Sequence, residues 1–349
     1  MSTNNTNEVQ ISKDRSTALE SCKKTCYLCG YPELNCLIHV SNANFSKRIT
    51  SFDVFQCPVC GLSSMVPMAT ADDLDMLYEK EMIFANWKSD TSNTGRFLSG
   101  FFEPAYQRWG TYWPWIADHC MQKWKRGKNR GAKPRILDVG CGTGRLLKEF
   151  KRLEPEASLV GIDKDPGSQV NADPSVAKTI QIANFLDWPS PETAFDIITF
   201  CFVAEHLPDF MAYFKKASAL LAKGGLFFFS VPDIDSPKAR SQEQAWPLLN
   251  DPYHKTGHVY WFNRSSVERV ISSLQLAPLD IRRRGECFFH FSKPIQKGLV
   301  GIFGSIQSPN GVRFIRNYQL RISYAIIFDG LLSSLFNCGD SLFCFCKKT

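Results

Sequence analysis

The stretch that most constrains the fold runs from Pro134 to Gly144 and reads Pro-Arg-Ile-Leu-Asp-Val-Gly-Cys-Gly-Thr-Gly. Its apolar residues run together, as in a parallel strand that is covered on both faces. Three glycines at alternate positions then lead into a segment with the apolar spacing of an amphipathic helix. A turn without Cβ atoms lets a ligand lie against the backbone, at the positive end of the helix dipole. The stretch predicts a nucleotide-type binding crevice in an open α/β sheet.

The spacing of the glycines indicates which kind of ligand this crevice holds. A dinucleotide fold requires G-x-G-x-x-G, and Arg145 stands where the third glycine would be. The pattern Asp138-x-Gly140-x-Gly142-x-Gly144 instead resembles motif I of the class I S-adenosylmethionine (SAM)-dependent methyltransferases. That resemblance covers roughly residues 131–347. It implies an α/β fold with a Rossmann-like, mostly parallel sheet whose last strand is antiparallel, and it implies SAM as cofactor.

Residues at later strand ends extend this resemblance. Asp163 ends the predicted second strand, where a carboxylate in similar folds accepts both ribose hydroxyls. Asn184 follows the third strand, where similar enzymes usually carry an Asp that binds the adenine amino group, and Asp187 is the other candidate for that role. The predicted cofactor-binding residues are Asp138, Gly140, Cys141, Gly142, Gly144, Asp163, Asn184, Phe185 and Cys201.

Two cysteine pairs near the start of the chain predict a metal site. Cys26 and Cys29 form one C-x-x-C-G knuckle, and Cys57 and Cys60 form another. Four thiolates are the ligand set of a closed tetrahedral zinc site, in which no position stays open for substrate. We therefore expect a structural zinc in a small ribbon. Together with the methyltransferase motifs, this ribbon resembles bacterial methyltransferases that modify sugars, surface glycans or secondary metabolites.

Histidines are the candidate catalytic residues. Glu205-His206-Leu207 follows the predicted fourth strand and resembles the segment found there in the ubiquinone-biosynthesis-like branch of the superfamily. Some quinone O-methyltransferases carry a further acid three residues earlier that completes a divalent metal site, but Phe202 stands there in this chain. A hydroxyl acceptor needs a base with a pKa near neutral. The candidates are His258, His254 and His206, in that order, and a structural role is the alternative for each.

Composition, spacing and the methyltransferase resemblance together imply six regions in the chain. In order, they are a disordered tail (1–20), the zinc ribbon (21–70), an aromatic-rich helical lead-in (71–130), the SAM-binding domain (131–290), a helical cap insertion (291–338) and the final strand of the sheet (339–349). Thirteen cysteines without a secretory signal predict the cytoplasm. The cap combines apolar stretches with basic residues, so contact with the inner membrane surface is an alternative.

The predicted activity is methyl transfer from SAM to a hydroxyl, or a carbon, of a small-molecule, sugar, glycan or lipid-linked acceptor. The net charge of +7 includes a basic run between Lys123 and Arg135, which would suit an RNA methyltransferase or a solvated linker. The segment after strand four argues against nucleic acid, because it lacks the Asp/Asn-Pro-Pro-Tyr motif of base-modifying enzymes. A scaffold that binds SAM without catalysis is the remaining alternative.

Overall fold

The computed structural model describes most of the chain between Ser21 and Thr349. The described residues are 21–22, 24–40, 45–81, 112–126, 133–189, 191–242, 246, 248–249, 257–285, 305–307, 313–315 and 337–349. The strands are β1 (Ser21–Cys22), β2 (Leu34–Val40), β3 (Phe52–Gln56), β4 (Ser63–Val66), β5 (Arg135–Val139), β6 (Ser158–Asp163), β7 (Ile180–Ile182), β8 (Phe195–Cys201), β9 (Leu221–Pro232), β10 (Tyr260–Trp261), β11 (Leu276–Arg284), β12 (Ser305–Gln307), β13 (Arg313–Ile315) and β14 (Ser341–Lys348). The helices are α1 (Ala71–Glu81), α2 (Trp113–Lys125), α3 (Arg145–Leu153), α4 (Pro166–Val170), α5 (Phe210–Leu220), α6 (Pro237–Gln242) and α7 (Arg264–Ser273).

A seven-stranded sheet carries the predicted glycine turn. Its order is β11-β14-β9-β8-β5-β6-β7, and β14 runs antiparallel to both of its neighbours while β7, β6, β5, β8 and β9 are parallel. This is the predicted Rossmann-like sheet with an antiparallel last strand. The order of the parallel strands reverses between β5 and β8, and in such sheets the ligand crevice lies at that reversal.

The sheet is covered on both faces, which explains its consecutive apolar residues. Phe227 and Phe229 pack into the core on one face, whereas Phe228 packs with Phe343 and Phe345 on the other. Buried side chains of α2 and α3 cover the second face. Because strand side chains alternate between faces, a strand buried on both sides must be apolar at every position.

The cysteine knuckles belong to a second, smaller sheet. Its order is β1-β2-β3-β4-β10, so its fifth strand comes from the segment just before α7, far along the chain. Tyr260 and Trp261 in β10 pair antiparallel with Ser64 and Ser63 in β4. The ribbon strands expected between the knuckles are therefore present. Their sheet also takes in a segment of the methyltransferase domain, which the sequence pattern did not indicate.

Three details differ from the expected elements or lie beyond what the structure describes. The sequence predicts a helix from Phe210 to Ala222 that the Gly224–Gly225 pair stops. In the structure this helix ends at Leu220, and the glycine pair lies within β9, where the pairing with β8 shifts register. Within the predicted cap insertion, the apolar stretches 299–303 and 324–332 are the expected helices, and both lie outside the described residues. Within 291–338, β12 and β13 form an antiparallel pair. Among the described residues, no helix is long and apolar enough to cross a membrane.

Candidate active site

The glycine turn leaves little room around its backbone. Gly140, Gly142 and Gly144 have φ values of +68°, +49° and +74°, a region that costs other L-residues about 1–2 kcal/mol. A Cβ on Gly140 would lie 2.5 Å from Cγ2 of Val203. The amide of Gly140 donates to the carbonyl of Ile162 at 2.8 Å, which ties the turn to the end of β6. Glycine is therefore required at position 140 both by backbone conformation and by the close approach of Val203.

Asp163 lies at the edge of this turn, as predicted. Its Oδ2 accepts a hydrogen bond from the Gly142 amide at 2.7 Å, and its Oδ1 accepts one from the Asp165 amide at 2.9 Å. A carboxylate oxygen can accept more than one hydrogen bond, so both oxygens retain capacity for ribose hydroxyls. The glycine cradle and the carboxylate beside it fit a ligand that lies against the backbone of the turn and carries a vicinal diol.

Asp138 lies deeper in the protein than Asp163. The Asp138 carboxyl is almost fully buried, and the hydroxyl of Thr199 donates to its Oδ1 at 2.6 Å. Burial raises the pKa of Asp138 to about 7, although the hydrogen bond from Thr199 opposes this shift. Cys141 and Cys201 are also buried, and the Ser230 hydroxyl donates to the sulfur of Cys201 at 3.3 Å. Motif I does not predict the contact of Thr199 with Asp138, which only the structure shows.

The structure surrounds Asn184 with partners that the sequence did not predict. Its Oδ1 accepts from the hydroxyl of Tyr213 at 2.9 Å and from the Leu186 amide at 3.1 Å. This is the oxygen expected to accept the adenine amino group, and it already has two donors. Phe185 is 2% exposed and packs with Trp188, so it belongs to the core. Tyr213 lies on α5, and only the tertiary structure brings it to Asn184.

Two of the three predicted catalytic histidines meet, and Glu205 joins them. The rings of His206 and His258 are 4.7 Å apart, and one ligand atom from each of Glu205, His206 and His258 lies within 4.8 Å of the others. We call these three residues the Glu-His-His cluster. The amide of Val259 donates to the Glu205 carbonyl at 2.8 Å, which joins the two segments. His254 lies outside the described residues.

Burial governs the charge state of the Glu-His-His cluster. It raises the pKa of Glu205 to about 8 and lowers the pKa of His258 to about 4. The pKa of His206 is also held well below its usual value by burial, with the nearby His258 adding to the effect. Val203, two residues before Glu205, is the residue that meets Gly140. Glu205 and His206 therefore lie on the loop that packs on the glycine turn, and His258 joins them from the segment before β10.

The four predicted metal ligands come together at the tip of the ribbon. The sulfur atoms of Cys26 and Cys60 are 3.6 Å apart, those of Cys29 and Cys57 are 3.5 Å apart, and all four lie within 4.8 Å of one another. Thiolates bound to one tetrahedral zinc at about 2.3 Å would be about 3.8 Å apart. A disulfide would require about 2.05 Å. The spacing fits four ligands around one ion.

The ribbon holds the segment that carries His258. The Met65 amide donates to the Val259 carbonyl at 2.9 Å, which continues the pairing of β4 with β10. At the first knuckle, the Tyr27 ring lies 5.3 Å from Phe210 and 5.6 Å from Tyr260, and its hydroxyl donates to Asp209. The ribbon thus contacts the loops on both sides of the Glu-His-His cluster.

Asn263 connects the second knuckle to α7. Its side chain accepts a hydrogen bond from the Ser266 amide at 2.9 Å. The Ser266 hydroxyl in turn accepts one from the Asn263 amide, and the two bonds form a capping box. A Cβ on Gly61 would lie 2.2 Å from Nδ2 of Asn263, so the knuckle packs directly on this cap. Both Asn263 and Ser265 are residue types that cap a helix start, and the structure uses Asn263.

Comparison with known proteins identifies the family. Residues 103–280 match the methyltransferase domain family, so the chain belongs to that family, within the class I SAM-dependent methyltransferases. The malonyl-[acyl-carrier protein] O-methyltransferase of Hahella chejuensis is 29% identical over 211 residues, which are 54% of this chain and 71% of that protein.

Two further similarities cover different extents of the chain. A ubiquinone biosynthesis O-methyltransferase of Chelativorans sp. is 32% identical over 143 residues, 37% of this chain and about half (54%) of that protein. Among solved structures, the plantazolicin methyltransferase BamL in complex with a triazolic desmethylPZN analog and SAH has a TM-score of 0.45 at 13% identity, over 77% of this chain and 94% of that one.

Proposed function

We propose that this protein transfers the methyl group of SAM to a hydroxyl of a small-molecule, sugar, glycan or lipid-linked acceptor, with a carbon acceptor as the alternative. The observation that carries the proposal is that the loop carrying Glu205 and His206 packs on the glycine turn. Val203 packs on Gly140, and Glu205 and His206 follow within three residues. Groups able to handle an acceptor proton thus stand beside the predicted methionine end of SAM.

The proposed reaction is an in-line displacement. SAM supplies a methyl carbon activated by its sulfonium. The acceptor oxygen forms a bond to that carbon while the carbon–sulfur bond breaks, its electron pair goes to sulfur, and the hydroxyl proton leaves to water through the cluster. The contribution of this chain is alignment of the two reactants and activation of the hydroxyl. Relatives named as O-methyltransferases support the choice of oxygen over carbon.

In the proposed cofactor site, Asp163 accepts the ribose hydroxyls while its hydrogen bond from Gly142 holds the turn in place. Gly140 and Gly144 allow the methionine end to lie on the backbone, and Asn184 with Tyr213 lines the adenine end. Cys141 and Cys201 are buried near Asp138 and line the proposed cofactor site.

We further propose that Cys26, Cys29, Cys57 and Cys60 hold a structural zinc. With all four positions filled, the ion would stabilise the knuckles and leave catalysis to the other domain. The contacts of Tyr27 and Gly61 give the ribbon a second role, which is to position the segment that carries His258.

The test of function is transfer of labelled methyl from SAM to fractionated cell extract, with identification of the labelled product. A product methylated on oxygen supports the proposal, and a product methylated on carbon favours the alternative. Label in RNA, or none above that of a protein-free reaction, would overturn it. Binding to RNA across a salt series provides a separate check, because phosphate contacts lose affinity steeply as salt rises.

A further inference from the structure

The Glu-His-His cluster is built from two segments that are distant in sequence. Glu205 and His206 lie in a short 3₁₀ turn after β8, and His258 lies just before β10. Each offers one ligand atom within 4.8 Å of the other two. Sequence similarity to quinone O-methyltransferases did not point to this set, because Phe202 replaces the acid that completes their site and His258 comes from another segment.

Glu205 is the member whose surroundings are unusual. Its side chain is fully buried, and neither carboxylate oxygen has a hydrogen-bond partner among the residues that the structure describes. A buried carboxylate without a donor or a cation is costly, whether it is ionised or protonated. Its position calls for a positively charged or electron-pair-accepting group between it and the two imidazoles.

The imidazole of His258 is oriented as a metal ligand would be. Its Nδ1 lies 2.9 Å from the Leu248 carbonyl, which can only accept, so Nδ1 carries the hydrogen and Nε2 carries a lone pair. Nδ1 of His206 lies 3.3 Å from the Gly257 carbonyl in the same manner. Histidines that bind metals usually donate their other nitrogen to a backbone carbonyl or a carboxylate.

We propose that Glu205, His206 and His258 bind a divalent transition-metal ion of the zinc, iron or manganese class. Two imidazoles and one carboxylate are the ligands of catalytic zinc sites and of non-haem iron sites, and they leave coordination positions open. An all-oxygen magnesium site would have a different ligand set. This site is separate from the four thiolates of the ribbon.

The role of this ion rests on the proposed function. An open coordination position beside the cofactor can take the acceptor oxygen and lower the pKa of its hydroxyl, so that the proton leaves to water before or during methyl transfer. In this arrangement His258 and His206 act on the acceptor through the ion, as ligands.

The test is a Co²⁺ titration of the full chain after removal of bound metal, followed by absorption. Wild-type protein is expected to bind two equivalents. One shows thiolate-to-cobalt charge transfer, and the other shows only the weaker bands of nitrogen and oxygen ligands. Glu205→Gln and His258→Gln should each weaken the second equivalent by at least about tenfold and leave the thiolate signal unchanged.

His39→Gln is the matched control, because His39 pairs with Asp53 at 2.6 Å on the exposed surface of the ribbon, and the described part of the chain supplies no third ligand there. It should retain both equivalents. Glu205→Gln decides the outcome if His258→Gln does not fold, since the amide keeps the shape of the carboxylate without a buried charge. A wild-type protein that binds only the thiolate equivalent, or a Glu205→Gln variant that binds two with unchanged affinity, would overturn the proposal.

Assays of SAM binding and methyl transfer distinguish failure of the metal site from failure of the proposed function. A second cobalt equivalent lost in Glu205→Gln supports the metal site even in a protein that transfers no methyl group. Methyl transfer to a hydroxyl by protein without that equivalent leaves the function standing and rejects the metal site.

Discussion

The amide of Gly142 donates a hydrogen bond of 2.7 Å to Oδ2 of Asp163, which joins the glycine turn after β5 to the acid at the end of β6. The two residues lie at or just after the carboxyl ends of adjacent parallel strands, and these ends meet at one edge of the sheet. This bond sets the carboxylate beside the cradle, so that one ligand can touch both. The proposed cofactor-binding surface therefore includes both Asp163 and the glycine turn.

Asp163→Ala should weaken SAM binding by roughly 10- to 100-fold, because hydrogen bonds to a charged group contribute about 1.5–3 kcal/mol each. Isothermal titration measures the change. Glu156→Ala is the control, since Glu156 is exposed before β6 and pairs with Lys133 at 3.0 Å. Equal SAM affinity in Asp163→Ala and wild type would remove Asp163 from the cofactor site.

Gly140→Ala should lower both stability and SAM affinity. Positive φ costs about 1–2 kcal/mol for a side chain, and the contact with Val203 adds an overpacking cost of about 1–3 kcal/mol. Gly224→Ala measures the cost of the positive φ alone. At Gly224 φ is +72°, and an added Cβ would lie at an ordinary 3.7 Å from its nearest neighbour, Cε of Lys347. Thermal unfolding compares the two variants. If adding Val203→Ala restores nothing to Gly140→Ala, the close approach is not the cause.

Removal of the ribbon metal should disturb the segment that carries His258. Cys57→Ser is expected to lose about one zinc per chain in metal analysis, and the Met65–Val259 pairing should exchange amide hydrogens faster. Cys36→Ser lies in β2 outside the four-thiolate set and should keep the zinc. Purified wild-type protein without zinc would reject the ribbon assignment, and unchanged exchange in zinc-free Cys57→Ser would reject the positioning role.

Acid should weaken the attachment of α1 through Asp73. The Arg48 guanidinium, whose Nε lies 3.1 Å from the carboxylate, holds the pKa of Asp73 well below its usual value, and the Thr70 amide adds a hydrogen bond. Because the folded pKa lies below the unfolded value of about 3.9, this contribution is present above about pH 4 and is lost as the pH falls further. Urea unfolding between about pH 6 and 3 should show that the free energy of unfolding falls less in Asp73→Asn than in the wild type. If wild type and Asp73→Asn lose the same amount of stability as the pH falls, titration of Asp73 is not the cause of the loss.

The sequence by itself determined the strands and the helix around the glycine turn. It also determined the edge of the sheet at which the predicted cofactor-binding residues lie. Apolar runs and the glycine spacing are local patterns, and they predicted a strand before the glycine turn, a helix after it and a strand that ends at Asp163, which are β5, α3 and β6. Parallel strands end at a common edge, so the positions of Asp138 and Asp163 at the ends of two successive strands were enough to predict that they lie near the glycine turn. The knuckle spacing likewise predicted that four cysteines meet.

Only the tertiary structure decided which side chains meet across long separations. Tyr213 reaches Asn184 from α5, and β10 completes the ribbon sheet although it lies far from β4 along the chain. Glu205 meets His258 because Val259 pairs with the Glu205 backbone. Such contacts depend on how elements pack around a shared core, and periodicity along the chain carries no signal for them. The fold follows from local pattern, while the surroundings of the Glu-His-His cluster follow from the way the ribbon and the sheet are packed together.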